Sequence, residues 1–296
     1  LRLWTLLFSG QAGASAHFGG EWLVYGGLVT LAVAAVSILA AQRLERMAAL
    51  SILVSAGTLL GAVGFAQSAL TGAALFYLVN STLALCALFL HAELVERSRS
   101  ANEAPLNDEE DAMPPPLESL HPPKGINLDD EQKVVIGQII PWTMAFLGLS
   151  FIACALLIMG MPPLSGFVGK LNLISALFNP QGLGVPAEQP LSPAGWGLVA
   201  LLILSGMASV IAFGRVGIQR FWKPEERPSP VLRRYECLPI VILLGLCMVL
   251  SLKAEPLLRY TQDTAASLQA PDAYIEAVMA ARPIPGPTSL DVQVQP

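Results

Sequence analysis

The residue with the clearest chemical potential is Lys170. It is preceded by 36 residues without a charge, 134–169, and followed by 17 more, 171–187. An ionisable side chain at membrane depth costs a few kcal/mol, so it normally faces a polar cavity or a partner, and function is its default explanation. A lysine stripped of water can gain and lose a proton near neutral pH, which suits it to a proton relay. A fixed ammonium would instead repel cations and gate them. The neighbouring sequence, Met161-Pro162-Pro163-Leu164-Ser165-Gly166-Phe167-Val168-Gly169-Lys170, adds weight. Pro162 and Pro163 remove two backbone donors, and Gly166 and Gly169 loosen the chain. A helix is expected to stop here, cross a few unwound residues and restart near Phe167. Carbonyls freed at that depth need protein or water to satisfy them, and a broken helix with a charge beside it is the usual construction of transporter sites. The competing reading is an interfacial lysine that snorkels to headgroups. The apolar run Leu171–Phe178, two further turns of helix, argues against it.

The other polar side chains within apolar stretches are hydroxyls and amides: Ser51, Ser55, Thr58, Asn80, Ser81, Thr82 and Ser205. Ser55 and Thr58 share a helix face, and Ser81 lies between Asn80 and Thr82. Two readings stay open for them. Ser55, Thr58, Asn80, Ser81 and Thr82 are candidates to line a water-filled channel, or they bond to neighbouring helices and to their own backbone. Gly57, Gly61 and Gly64 indicate close helix packing. Cys86, Cys154, Cys237 and Cys247 form no CxxC and read as small hydrophobes. His17, His91 and His121 lack metal-ligand spacing. No metal site, cofactor or nucleic-acid partner is expected.

The elements that must position these groups are membrane helices. Only 13% of the 296 residues are charged, 54% are hydrophobic and the mean hydropathy is +0.59. Soluble domains carry about 25% charged residues. Six charge-free windows, 22–42, 47–92, 134–169, 171–187, 189–214 and 237–252, account for 162 residues. About 20 apolar residues cross a bilayer, so the fold class is all-α, a polytopic membrane helix bundle. Spans are expected at Trp22–Ala41, Met47–Ala66, Ala69–Ala92, 134–178, Trp196–Gly214 and Cys237–Leu252, the last extended by Tyr235 and Lys253.

Basic residues decide whether 134–178 is one interrupted span or two, because Lys and Arg concentrate in cytoplasmic loops. With one span, 12 basic residues fall on one face and 4 on the other; with two, the split is 7 against 9. One discontinuous span is therefore expected, six in all, with both ends of the chain outside the cytoplasm. The resulting organisation is 1–99, the end of a cut helix plus three spans; 100–133, an acidic Pro-rich cytoplasmic loop; 134–178, the discontinuous span; 179–255, a connector and two spans; and 256–296, an extracytoplasmic tail, partly disordered. A short amphipathic helix over Asp272–Ala281 fits that tail. The chain lacks an initial Met and opens within an apolar stretch, which reads as a fragment of a longer protein.

The run Met161–Lys170 resembles the broken twelfth helix of the antiporter-like membrane subunits shared by respiratory complex I and the multisubunit (Mrp/Pha-type) cation/proton antiporters. Two further stretches, Ala74–Ala84 and Leu44–Leu53, agree with it, and their phrasing is most similar to the D subunit of the Mrp/Pha antiporters. The likeness covers about residues 1–255. It implies that the chain is the last six of fourteen helices, that the ends of the protein lie outside the cytoplasm, and that Lys170 is the lysine of a proton half-channel. The family's other charged members, a glutamate and two lysines, would lie upstream of Leu1. Many relatives carry a histidine where Ser55 stands and an Asn-His pair at Asn80-Ser81, and some carry a lysine at Leu85. The relay here would then rest on Lys170, hydroxyls and water.

The expected function is a proton-translocating subunit of a monovalent-cation/proton (K+ or Na+/H+) antiporter. It is a transporter rather than an enzyme, set in a bacterial inner membrane beside other membrane subunits. Two alternatives are an antiporter-like proton-pumping subunit of an NADH-quinone oxidoreductase or related hydrogenase, and a structural membrane subunit without transport.

Overall fold

The computed structural model describes residues 18–103, 142–180, 190–222, 234–270, 276 and 278–281. These form eight α-helices: α1 Gly20–Ala40, α2 Leu44–Gly64, α3 Ser68–Glu103, α4 Trp142–Met159, α5 Ser165–Phe178, α6 Pro193–Gly217, α7 Arg234–Leu252 and α8 Ala254–Gln269. A π-helical turn, Ile218–Trp222, extends α6. Six helices, α1 to α4, α6 and α7, are long and apolar enough to cross a membrane, and α5 is a shorter apolar helix. The expected acidic loop, the middle of the 179–195 connector and half of the Asp272–Ala281 segment lie outside the described residues, as do the first 17 residues.

The fold is a membrane bundle whose interior is read along α3. Leu147 of α4 packs with Leu94 of α3. Phe151 and Cys154 meet Ala87, Leu88 and Ala92, and Leu157 meets Ala84. Past the break, Gly169 stands against Phe76 and Tyr77, and Leu173 and Leu177 pack with Leu70 and Ala74. Contacts move steadily down α3 as the chain moves up α4 and α5. The two halves therefore make one crossing antiparallel to α3. Leu70 to Leu94 spans roughly 36 Å at 1.5 Å per residue, about one bilayer core.

The same two levels recur on the neighbours. Ile38 of α1, Met47 of α2 and Val216 of α6 belong to the α4 level; Leu31, Ala62 and Leu198 belong to the α5 level. Arg43, Arg46, Arg97, Arg215 and Arg220 thus share one end of the bundle, and Lys253 and Arg259 stand at the other. Arg215 caps the end of α1 by donating to the carbonyls of Leu39 and Ala41 at 2.8 and 2.6 Å. Helix α1 lies very close to α2: a Cβ on Gly57 or Gly64 would stand 2.7 or 2.6 Å from the backbone nitrogen of Leu31 or Val24. Small residues of this kind let membrane helices approach backbone to backbone.

Helix α8 is an addition to the expected spans. Its inward positions Leu258, Thr261, Ala265 and Leu268 recur at helical spacing. Thr261 and Ala265 are buried, Gly72 of α3 stands against Gln262, and Gln269 donates to the carbonyl of Ala66 at 3.0 Å. It closes the less basic end of the bundle.

Candidate functional site

The break between α4 and α5 is built by Gly160. Its φ of +77° is a left-handed conformation that glycine adopts without penalty. The amides of Gly160 and Met161 both return to the carbonyl of Leu156, at 3.1 and 3.0 Å, closing α4 with a Schellman-type turn. The helix thus ends before the prolines. Pro162 and Pro163 occupy the connecting turn, joined by a cis peptide, and α5 starts at Ser165, two residues earlier than Phe167. Gly166 lies directly against the carbonyl of Leu157, where any Cβ would collide. This is the close approach that its lack of a side chain permits.

Ending α4 leaves its last carbonyls without amide partners. Lys170, from the second turn of α5, reaches back over the break. Its Nζ donates to Ile158 at 3.1 Å and to Met159 at 2.8 Å. The carbonyl end of a helix carries about half a negative charge, so a cation is favoured there. Among the described residues no carboxylate lies within ion-pairing distance of the ammonium. Gly206 of α6 leaves room on the far side; a Cβ there would stand 3.9 Å from Nζ.

A small cavity abuts the same carbonyl end. It measures about 20 Å³, enough to seat a water molecule. Ser51, Val54 and Ser55 of α2, Tyr77, Asn80, Ser81, Ala84 and Leu85 of α3, and Leu157 and Ile158 of α4 line it. Ile158 therefore contributes to the cavity and accepts from Lys170. Asn80 ties the second half-helix to the first wall: its Oδ1 accepts from the buried Ser165 hydroxyl at 2.5 Å.

Of the residues singled out in the sequence, Ser55, Asn80 and Ser81 meet at this cavity, with Lys170 and the break beside it. Thr58 is buried and faces the Tyr77 ring hydroxyl, as Ser55 does. Thr82 is exposed on the outer side of α3, its hydroxyl donated to Leu78 at 2.7 Å. The two readings left open for the hydroxyls prove compatible. Ser51, Thr58 and Ser81 each donate to their own helix, to Met47, Val54 and Leu78. A hydroxyl that donates backward still has lone pairs to offer a water. Gly160, Ser165 and Tyr77 join the site from outside the residues that the sequence singles out. The αL glycine just ahead of a Pro-Pro pair is a stop signal that could have been read; the partners of Ser165 and Tyr77 are long-range and leave no local signal.

The comparisons with known proteins agree with this architecture. No family model matches. The chain is 46% identical over 284 residues, 95% of its length, to the D subunit of a probable K(+)/H(+) antiporter of Rhizobium meliloti. Over nearly its whole length the chain is thus similar to antiporter D subunits. It is also 27% identical over 282 residues to the D subunit of a Na(+)/H(+) antiporter of Bacillus subtilis. The chain spans about half the length of these relatives, 50% and 48%. Their names describe transport, not an enzymatic reaction. Among solved structures, the Mrp complex from a Dietzia species shares the fold with a TM-score of 0.58 at 19% identity, covering 89% of this chain and 25% of that one. Respiratory complex I from Thermus thermophilus gives a TM-score of 0.50 at 20% identity over 81% of this chain and 45% of that one. The chain's six apolar helices, together with these similarities, make it a multi-pass membrane protein.

Proposed function

We propose that this chain carries protons through a multisubunit K+ or Na+/H+ antiporter of a bacterial plasma membrane, beside other membrane subunits, with Lys170 as the titrating relay. The observation that carries the reading is the seat of Lys170 Nζ on the carbonyls of Ile158 and Met159, at the end of a helix broken within the bundle. A protonated amine is held there by two acceptors and the helix end. A neutral amine keeps a lone pair to take up the next proton. Ser55, Asn80 and Ser81 offer acceptors around a water-sized cavity at the same level, and Thr58 is buried one turn further along α2. Pro162 and Pro163 occupy the turn between the two half-helices, and Gly166 lets the second pack closely on the end of the first. The concentration of arginines at the end of the bundle where α4 begins supports a cytoplasmic position for that end.

The test is exchange in membrane vesicles carrying the whole complex. Lys170→Ala abolishes cation-dependent proton exchange while the complex still assembles. Exchange at the wild-type rate would overturn the role of Lys170.

A further inference from the structure

His91 is fully buried on α3, eleven residues past Asn80 toward the arginine-rich end. Its Nδ1 lies 3.1 Å from Ser150 Oγ of α4. That hydroxyl has a single proton, directed to the carbonyl of Phe146 at 2.8 Å. With the hydroxyl proton on that carbonyl, or on that of Leu147 at 3.1 Å, the His91–Ser150 bond takes its hydrogen from Nδ1 and leaves Nε2 a bare lone pair. Among the described residues Nε2 has no hydrogen-bond partner. A buried acceptor without a partner costs about 1–3 kcal/mol, which a hydrocarbon side chain in the same place would avoid. Phe151 and Phe221 cover the ring at centroid distances of 5.9 and 6.1 Å, Phe221 coming from the π-helical turn after α6. π segments of this kind are frequent at functional sites.

Between the level of this ring and the break the buried side chains of three helices are small, a seam in sequence position along the bundle. Ala84 and Ala87 of α3, Cys154 and Ala155 of α4, and Ser205 and Ser209 of α6 are all buried along it. Gly206 continues it to Lys170 Nζ. Ser150 and Ile158 are eight residues apart on α4, roughly 12 Å at 1.5 Å per residue.

We propose that His91 is a second proton-carrying group of this protein, taking and releasing protons at Nε2 along the seam that leads to Lys170, with Ser150 positioning its ring. Nε2 accepts a proton from a water molecule in the seam and gives it to the next; the Nδ1 hydrogen stays with Ser150 throughout. The proposal rests on the reading of Lys170 as the relay. Other titratable groups around the ring are few. Cys154 lies one turn beyond Ser150 on α4. Glu93 and Glu96 of α3, and Arg43, Glu45 and Arg46 of α2, are exposed. Arg97 pairs with Glu236 of α7 at 3.0 Å, Arg215 is held by carbonyls of α1, and Arg220 adjoins Phe221 in the chain.

The experiment uses the whole complex in vesicles, with exchange rate followed across pH. His91→Gln, which keeps an amide for Ser150 but does not titrate, lowers the rate about 10-fold or more and removes one limb of the pH profile. Ser150→Ala, nearly neutral in volume, keeps the histidine and displaces that limb. A wild-type profile in both variants, or a lower rate with an unchanged profile, would overturn the proposal. If His91→Gln fails to assemble, Ser150→Ala alone decides it. Lys170→Ala, measured in parallel, separates the two readings: loss of exchange there with normal His91 variants sinks only the role of His91.

Discussion

Lys170 Nζ lies 2.8 Å from the carbonyl oxygen of Met159, eleven residues earlier in the chain and across the helix break. The lysine of one half-helix thus caps the other. The residue that makes the break electrostatically tolerable is also the proposed relay, and its hold on the carbonyls is strongest while the amine is charged.

That double role separates capping from relaying. In Lys170→Arg the guanidinium stays charged at every accessible pH, so it can still occupy the carbonyls of Ile158 and Met159 but cannot release a proton. The variant complex assembles, and its cation-dependent proton exchange falls to the level of Lys170→Ala. Exchange near wild type, measured in vesicles, would assign Lys170 a purely structural role.

The break is held by backbone proximity at one position and by open space at another. A methyl at Gly166 collides with the carbonyl of Leu157, whereas one at Gly206 meets Met159 and Lys170 at 3.6 and 3.9 Å, ordinary contact distances. Gly166→Ala destabilises the complex by about 1–3 kcal/mol, read as a lower midpoint of thermal unfolding in detergent. Gly206→Ala leaves that midpoint within experimental scatter.

Asn80 joins α3 to the start of α5, and Thr82, two residues on, faces outward. Asn80→Ala leaves the buried Ser165 hydroxyl without its acceptor, costing about 1–3 kcal/mol, and slows exchange by loosening the wall of the cavity. Thr82→Ala removes only a hydroxyl bonded to its own helix and leaves both stability and exchange unchanged. Equal losses in the two variants would show that the cavity is not part of the path.

Much of this arrangement is legible in the order of residues. Charge-free windows give the spans, because hydrocarbon tolerates no unpaired charge over about 20 residues. The asymmetry of basic residues favours one crossing over two for 134–178, and the packing of α4 and α5 along α3 is a single crossing. Lys170 stands out for the same reason that the spans do. Helix α8 escapes such a reading because its half-polar face carries too little hydropathy to register as a span, and its order comes from docking on Gly72 and Ala66.

By itself, then, the sequence determined that the chain is a membrane bundle with one ionisable residue at a helix break, since both follow from the local cost of placing charge in hydrocarbon. Only the tertiary structure decided which acceptors Lys170 uses, that Ser55, Asn80 and Ser81 share a cavity while Thr82 does not, and that His91 is buried against Ser150. Those are relations between helices, set by how backbones approach at Gly160 and Gly166 and by the space left at Gly206, and no local pattern of residue types encodes them.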